Sequence, residues 1–428
     1  MGAERPVGSQ SMSGEIKQAA AGGGHAQSAG QQAEAAALAK ALDRMDCLAA
    51  HTGAPASEAM LFGLGGGLGA AYFTFEYKSA GLKTIFLGTR INTQESKKPE
   101  FLQTICERIG LRAGMLNSGS ASAAQKKLTK LLDEGKPTIL WLDPGRRPYL
   151  PLTETPSHYH TVVAFGIDKL HDAVRISDLS AEPLTIGLSE LAAARRIDGA
   201  PSMSYRAMVF EAPAGPLDLR AGIREGIRAC VRQMLYGWDM GGFKGNFGIQ
   251  GLRKWAQLLT DARNEKGWPR LFPPGADLLS ALWSLFEQIE NRGNGRGAFR
   301  PLYADFLSEA GMLLGTSRIS DIADQMRASG NRWSELAAAL LPETLAPAHQ
   351  MRRLGQERKQ LFAEKGAPAL DEIRTINARI EELRAEAQTQ ILRSPSAIKD
   401  LLGDVQARVL EIARLEQAAM TALEAAME

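Results

Sequence analysis

A histidine and an aspartate stand at the ends of two neighbouring β-branched runs. His160 opens the run at residues 161–165, and Asp178 directly follows the run at residues 173–177. If these runs are adjacent antiparallel strands, the imidazole and the carboxylate lie side by side. A carboxylate that accepts a hydrogen bond from one ring nitrogen fixes the tautomer and leaves the other nitrogen to act as a base. The pair therefore predicts general-base catalysis for a nucleophile, and a buried structural histidine is the alternative interpretation.

The elements around this pair alternate between helical and strand patterns. Strand patterns at "KTIFLG", "PTILWLD" and "SYRAMVFEA" stand among helical patterns at "KPEFLQTICERIGL", "SASAAQKKLTKLLDEG" and "GLSELAAARR". An earlier helix is predicted from about Ala26 to His51, where apolar residues recur at helical spacing. Helices that come early and strands that cluster later are typical of an α+β fold. We therefore expect an α+β domain over residues 25–212, after a disordered tail at residues 1–24.

Beyond this domain only helical patterns remain. Residues 218–345 contain amphipathic segments separated by loops such as "GGFKGNFG" and "NRGNGRGAF". Residues 346–428 carry two apolar stripes at spacings of three and four, with "RSPSA" at residues 393–397 as the break between them. We expect an all-helical domain over the first range and a helical hairpin or coiled coil over the second, through which the chain could form a homo-oligomer.

The composition is that of an ordinary globular protein. Of 428 residues, 44% are hydrophobic and 23% are charged, and the net charge is only +2, so nucleic acid is not an expected partner. No apolar run approaches the ~20 residues that a membrane span needs, and the N-terminus has no apolar signal region. Three scattered cysteines, Cys47, Cys106 and Cys230, are too few for a disulfide framework or a zinc site. We expect a reduced, cytoplasmic protein.

The glycine-rich stretch "GLGGGLGAAYF" contains the dinucleotide-type pattern Gly65-x-Gly67-x-x-Ala70. That fingerprint requires a strand before the glycines and a helix after them. Here the preceding "SEAML" has a helical pattern and the following "YFTFEY" has a strand pattern. The glycines are therefore interpreted as a tight turn that permits close backbone packing.

Several stretches resemble the butirosin biosynthesis protein H family. "GAPASEAMLFGLGGGLGAAYF" and "PTILWLDPGRRPYLPL…HYHTVVAFGIDKLHDAVRISDLSAEPLTIGLSELAAARR" are similar to the N-terminal domain of that family. "NFGIQGLRKWAQLL" and "IENRGNGRGAFRPLYADFLSEAG" are similar to the helical domain that follows it. Together these stretches span roughly residues 50–345 and occur in the family's order.

The resemblance implies a papain-like cysteine-enzyme domain, related to bacteriocin-leader peptidases. In the founding member an acyl group moves from an acyl-carrier protein to an amine of an aminoglycoside. His160 matches the catalytic histidine of the family, and Asp178 matches its aspartate. The implied activity is a thiol-dependent acyl transfer with a Cys-His-Asp triad and no cofactor. Its donor would be a carrier-protein or coenzyme A-type thioester, and its acceptor an amine.

The cysteine of the family has no counterpart at its expected place. It opens a central helix in a His-Cys pair, where the helix dipole and free N–H groups favour the thiolate and bind an oxyanion. In this chain His25 is followed by Ala26, which fills the nucleophile slot through an engineered substitution or through natural loss. Cys47 is the alternative nucleophile, but it lies six residues before Gly53, near the C-terminus of the predicted helix, where the dipole disfavours a thiolate.

Basic residues in two glycine-containing segments are candidates for substrate binding. Lys244 lies in "YGWDMGGFKGNFGIQGLRKW", where aromatic and glycine residues precede a helix. Arg292, Arg296 and Arg300 lie in "NRGNGRGAFRPLY" and would suit an anionic carrier protein or its phosphopantetheine arm. A buried interdomain loop and a solvated loop are the respective alternative interpretations.

Two other functions remain open on the sequence. A cysteine peptidase or peptide-modifying enzyme of the same fold would need an open cleft for an extended peptide. An acyltransferase should instead have a channel that the helical domain covers. A non-catalytic scaffold or binding protein would have lost the nucleophile and would use its helical hairpin for assembly.

Overall fold

The structure contains one small and one large antiparallel sheet. It is a computed structural model that describes residues 29–77, 81–90, 100–150, 159–198, 201–238, 241–291, 295–393 and 395–428. The strands of the small sheet are β1 (Ala71–Tyr77) and β2 (Leu82–Gly88). Those of the large sheet are β3 (Ala113–Leu116), β4 (Thr138–Leu142), β5 (His160–Asp168), β6 (Ala173–Ser177), β7 (Leu184–Gly187) and β8 (Ala207–Phe210). Their spatial order is β3-β8-β4-β5-β6-β7, and neighbours pair antiparallel throughout.

Helices surround the sheets and form the whole region after β8. The earlier ones are α1 (Ala33–Arg44), α2 (Glu58–Leu64), α3 (Phe101–Arg108), α4 (Ala121–Asp133) and α5 (Leu188–Ala194). The later ones are α6 (Arg220–Tyr236), α7 (Gly248–Thr260), α8 (Trp268–Leu271), α9 (Ala276–Phe286), α10 (Arg300–Leu314), α11 (Ser317–Leu340), α12 (Ala346–Lys365), α13 (Leu370–Leu392) and α14 (Pro395–Ala426). The predicted α+β class with a helical C-terminal region is thereby confirmed. In the described part of the chain, none of these helices combines the length and apolar composition needed to cross a membrane.

The large sheet is buried on both faces. On its central strand β4, Ile139 and Trp141 pack into one hydrophobic cluster with α1 and α3, while Leu140 and Leu142 pack into a second cluster with α4 and α5. Successive side chains of a strand point to opposite faces, so a strand buried on both sides needs a continuous apolar run. The first cluster continues into the later helices. The sheet and the helical region therefore share one core.

Helix α1 is shorter than its sequence pattern predicts. It begins at Ala33 and ends at Arg44, shortly before Asp46 adopts a left-handed backbone with φ of 51°. Residues 29–32 are not helical. The predicted helix over residues 26–51 is therefore wrong at both ends. A left-handed residue cannot continue a right-handed helix, and aspartate is among the residues that tolerate this conformation.

The glycine-rich turn joins a helix to a strand, as predicted. α2 precedes the turn and β1 follows it, which is the reverse of the order in a dinucleotide site. Gly67 has a φ of 58°, and a Cβ atom at this position would lie 2.4 Å from the ring of Tyr303 on α10. Glycine is required here because α10 packs directly against the backbone of the turn.

The chain after residue 345 forms three helices instead of the predicted two-helix hairpin. α12 and α13 pair with each other across Gly366, whose φ is 60°. α14 begins at the predicted break but packs mainly on α7 and α11. Its apolar stripe, which includes Val405 and Val409, is buried in the core that it shares with those helices. That stripe is therefore used within the chain and not in pairing with α13.

A buried ion pair joins α14 to α10 and α11. The guanidinium of Arg300 donates two hydrogen bonds to the carboxylate of Glu416, at 2.6 and 2.8 Å, and neither side chain is exposed. Ser329 and Trp333 of α11 donate to the same carboxylate at 2.8 and 2.7 Å. Four hydrogen bonds thus compensate the buried charge, which is the condition under which an ion pair is tolerated in a core.

Removing one partner of this pair should be strongly destabilising. We expect Glu416→Ala to lower the free energy of unfolding by about 3–5 kcal/mol, because the guanidinium of Arg300 is left buried without its counter-charge. Glu411→Ala on the same helix is the matched control, since Glu411 pairs with Arg332 at 3.2 Å between half-exposed side chains. The control should change the free energy by about 0.5 kcal/mol or less. Denaturant unfolding followed by circular dichroism measures both, and equal losses would contradict the assignment.

Candidate functional site

His160 and Asp178 meet at one end of the β5–β6 pair. His160 is the first residue of β5, and Asp178 directly follows β6, to which β5 is hydrogen-bonded antiparallel. The Nε2 atom of His160 lies 2.6 Å from Oδ1 of Asp178. The histidine side chain is 12% exposed, and the aspartate side chain is fully buried. The predicted adjacency of the two side chains is confirmed.

The carboxylate of Asp178 is ionised although it is buried. Burial alone would raise its pKa, but His160 and Arg147 beside it together hold that pKa well below its ordinary value. The Oδ1 atom also accepts the backbone N–H of Leu179 at 2.7 Å. The Oδ2 atom accepts Nη1 of Arg147 at 3.3 Å. Every one of these contacts favours the charged form of the carboxylate.

The contact with Asp178 defines the tautomer of His160. Burial lowers its pKa below the ordinary 6.5, an effect that Asp178 opposes and Arg147 reinforces. An ionised carboxylate can only accept hydrogen bonds, so the proton of the ring lies on Nε2 and the lone pair on Nδ1. The ring can therefore take up a proton at Nδ1 while Asp178 stabilises the imidazolium.

Helix α1 and the segment before it hold the turn that carries Asp178. The Nζ atom of Lys40 donates to the carbonyl oxygens of Asp178 and Ser180, at 2.5 and 2.9 Å. The backbone N–H of Gly30 donates to the carbonyl of Leu179 at 2.9 Å. Burial lowers the pKa of Lys40, and the charge of Asp178 opposes that shift. The turn is thus fixed through its backbone as well as through the aspartate side chain.

Helix α12 covers the same turn from the helical region. The backbone N–H of Ala181 donates to the carbonyl of Ala363 at 2.9 Å. The ring of Tyr149 stacks on Phe362, with centroids 6.2 Å apart and planes 13° from parallel. Burial raises the pKa of Tyr149 well above its ordinary value, and the nearby charge of Asp178 raises it further. The helical region therefore packs directly on the elements that carry the pair.

The first turn of α1 faces His160. Glu34 in that turn is buried and forms an ion pair with Arg90. Its charge raises the pKa of the neighbouring Tyr159, and it also opposes the effect of burial on His160. The first backbone N–H groups of a helix have no partner within the helix, and side chains of the protein meet part of this need here. The N–H groups of Gln31 and Gln32 donate to the carboxylate of Glu58, at 2.9 and 2.6 Å, and that of Ala35 donates to Oε1 of Gln32 at 2.6 Å.

The structure does not bring Cys47 to His160. Cys47 follows the far end of α1, about 15 Å of helix beyond Glu34. At that end Arg44 lies over the ring of Phe165, five residues along β5 from His160. Burial raises the pKa of the Cys47 thiol, and Asp46 raises it further. The position of Cys47 beyond the end of α1 and the raised pKa of its thiol give no support to its assignment as the nucleophile, which stays a prediction.

The other expected sources of a thiol give no nucleophile at this site. Cys106 and Cys230 are buried, and burial raises their pKa values to about 12 and about 11. Ala26, the predicted nucleophile slot, lies outside the described residues. The observed start of α1 carries Ala33 and Glu34, neither of which is a nucleophile of this chemistry.

The predicted substrate-binding residues fall into three groups. Arg300 is fully buried in its ion pair with Glu416, so neither the predicted contact with an anionic carrier nor the alternative of a solvated loop fits this residue. Arg296 is exposed, and its contact with an anionic carrier stays a prediction. Arg292 and the side chain of Lys244 lie outside what the structure describes. In the described ranges, no three His, Cys, Asp or Glu side chains converge where they could hold a metal ion.

Three residues of the site were missed from the sequence: Lys40, Arg147 and Tyr149. The available signal for Arg147 was its position in "DPGRRPYL", just after the fully buried strand β4. A charged residue so close to a buried strand needs a partner if it turns inward. Lys40 gave no comparable signal, because its partners are backbone carbonyls 138 and 140 residues away in the chain.

The fold and the site together define an α+β protein whose buried His–Asp pair lies under a helical region. Residues 43–179 match the family described as butirosin biosynthesis protein H, N-terminal, and residues 189–364 match a domain of unknown function, DUF4872. None of the curated proteins matches the chain. Residues 43–179 therefore form an N-terminal domain of the butirosin biosynthesis protein H family, and the resemblance noted in the sequence is confirmed for that domain. The N-terminal match includes His160 and Asp178 and begins after position 26.

Thiol labelling tests the state of Cys47. Because the thiol is buried and its pKa is raised, we expect iodoacetamide at pH 7.5 to alkylate Cys47 at least about tenfold more slowly in the folded chain than in the unfolded chain. Peptide mapping by mass spectrometry separates the three cysteines, and Cys230 serves as the fully buried reference. Alkylation of Cys47 at the same rate in both states would show an accessible, reactive thiol and would favour Cys47 as the nucleophile.

Proposed function

We propose that this chain has the architecture of a papain-like, thiol-dependent acyltransferase, with His160 as the base and Asp178 as the residue that orients it. The observation that carries the proposal is the 2.6 Å contact between Nε2 of His160 and Oδ1 of Asp178. It assigns the ring proton to Nε2 and the basic lone pair to Nδ1.

The proposed reaction has two half-reactions at one thiol. Nδ1 of His160 takes the proton of the thiol, and the thiolate attacks the carbonyl carbon of an acyl thioester. The imidazolium then gives its proton to the departing thiol of the donor. An amine next attacks the enzyme-bound thioester, and His160 takes a proton from the amine. The bond between the acyl carbon and the enzyme sulfur then breaks, and His160 returns the proton to that sulfur, which restores the free thiol. The products are an amide and the free donor thiol, and no oxidant or reductant is involved.

The slot for the thiol is proposed at position 26. The segment before α1 passes the pair, since the N–H of Gly30 bonds to the carbonyl of Leu179 at 2.9 Å. Position 26 is four residues before Gly30 in the sequence. Because an alanine occupies this position, the chain as sequenced lacks the nucleophile.

The contact of the helical region with the site favours acyl transfer over peptide cleavage. Ala363 of α12 bonds to Ala181, and Phe362 stacks on Tyr149. A peptidase of this fold requires an open cleft for an extended peptide. A site beside packed helices is better suited to a donor that inserts only its acyl thioester end. The proposed donor is an acyl-carrier protein or a coenzyme A-type thioester.

A non-catalytic binding or scaffold protein is the second candidate. It is supported by the three described cysteines, all of which are buried. In that case the His–Asp pair persists as a structural contact, and the chain binds the thioester donor or the amine without transferring an acyl group.

Acylation of the chain distinguishes these functions. We expect a panel of short- and medium-chain acyl thioesters to add one acyl group to the Ala26→Cys variant and none to the parent, as read by intact mass. His160→Gln in the variant should slow the acylation by roughly 100-fold, because the thiol loses its base. Addition of an amine should remove the acyl group as an amide.

Ala33→Cys is the matched control, since Ala33 is the first residue of α1. Acylation of this variant alone would move the slot from position 26 to the start of the helix. Folded variants that all stay unacylated would contradict acyl transfer and favour the scaffold. An adduct on the parent chain would contradict the loss of the nucleophile.

A further inference from the structure

A second cation lies buried against the pair, on the side of Asp178 away from His160. The guanidinium of Arg147 is 4% exposed and donates through Nη1 to Oδ2 of Asp178 at 3.3 Å. Its Nε atom donates to the carbonyl of Pro144 at 3.4 Å. Since His160 bonds to Oδ1, His160 and Arg147 bind different oxygen atoms of the Asp178 carboxylate.

The segment before Arg147 has a defined turn that directs this side chain toward Asp178. A 3₁₀ turn at Pro144–Arg146 follows β4, and its start is capped by Asp143, which accepts the N–H of Gly145 at 2.9 Å. Arg146 points outward, is 40% exposed and pairs with Asp198. The next residue then turns inward, toward Asp178. Two adjacent arginines therefore have opposite environments.

We propose that Arg147 is a positioning residue of the His160–Asp178 pair: its guanidinium holds the carboxylate in the orientation that receives His160 and offsets the charge of that carboxylate. The proposal rests on the proposed function in so far as the pair is catalytic. With Arg147 in place, the imidazole is oriented by Asp178 without being driven into its protonated form. A base must be unprotonated to act, so this balance suits His160 to accept a proton near neutral pH.

The charges that face His160 come from several elements. Asp178 follows β6, Arg147 follows β4, and Glu34 belongs to α1. Two carboxylates thus favour the imidazolium, while one guanidinium and the burial of the ring disfavour it. Tyr149 is buried beside Asp178, and the ammonium of Lys40 on α1 bonds to the carbonyl oxygen of Asp178 at 2.5 Å. Removal of Arg147 therefore removes a positive charge that opposes protonation of the ring.

The test is an NMR titration of the imidazole of His160 in the full chain. His160→Gln assigns its signals among the six histidines. Arg147→Gln should raise the pKa of His160 by roughly one unit, since the charge of Asp178 is no longer offset. Arg147→Lys, which keeps the charge, should restore it to within about 0.3 unit of the parent. Arg146→Gln is the matched control and should leave the titration unchanged.

If Arg147→Gln does not fold, the same comparison is made between Asp178→Asn and the double variant Arg147→Gln/Asp178→Asn, in which no buried carboxylate is left uncompensated. The proposal expects the higher His160 pKa in the double variant. An unchanged pKa together with a lower melting temperature would overturn it and make Arg147 a structural residue only. The titration needs no substrate, so its outcome is independent of whether the chain transfers acyl groups.

Discussion

The negative charge of a carboxylate buried in a protein interior must be compensated by hydrogen bonds or positive charges, and Asp178 has several such partners. His160, Arg147 and the backbone N–H of Leu179 bond to its oxygens. Lys40 fixes the backbone of the same turn. These partners come from β5, from the turn after β4 and from α1. The position of one charged group therefore dictates how these elements meet.

The helical region is part of the same arrangement. α12 packs on the turn of Asp178, and α14 is tied to α10 and α11 through the buried pair of Arg300 and Glu416. Because one hydrophobic cluster runs from α1 to α14, the strands and helices cannot be separated without exposing a common core. Its contacts with the site make the helical region a structural support for the His–Asp pair.

Short sequence patterns predicted the strands that carry the His–Asp pair. β-branched runs identified β5 and β6, and their antiparallel pairing placed His160 beside Asp178. The inward turn of Arg147 and the reach of Lys40 depend on tertiary contacts over tens of residues, which no periodicity reports. The prediction placed the C-terminal end of α1 too late because Asp46 adopts a left-handed backbone inside a helical pattern. The partner of α14 was misjudged because an apolar stripe does not specify what it packs against.

A thiol at position 26 is proposed to face the imidazole of His160. The most direct measurement is the pKa of the thiol introduced by Ala26→Cys, read from thiolate absorbance at 240 nm with and without His160→Gln. The native thiols are buried with raised pKa values, so the new one titrates apart from them. We predict a pKa below about 7 that returns toward about 8.5 when His160 is removed. An ordinary pKa that does not respond to His160 would contradict the account.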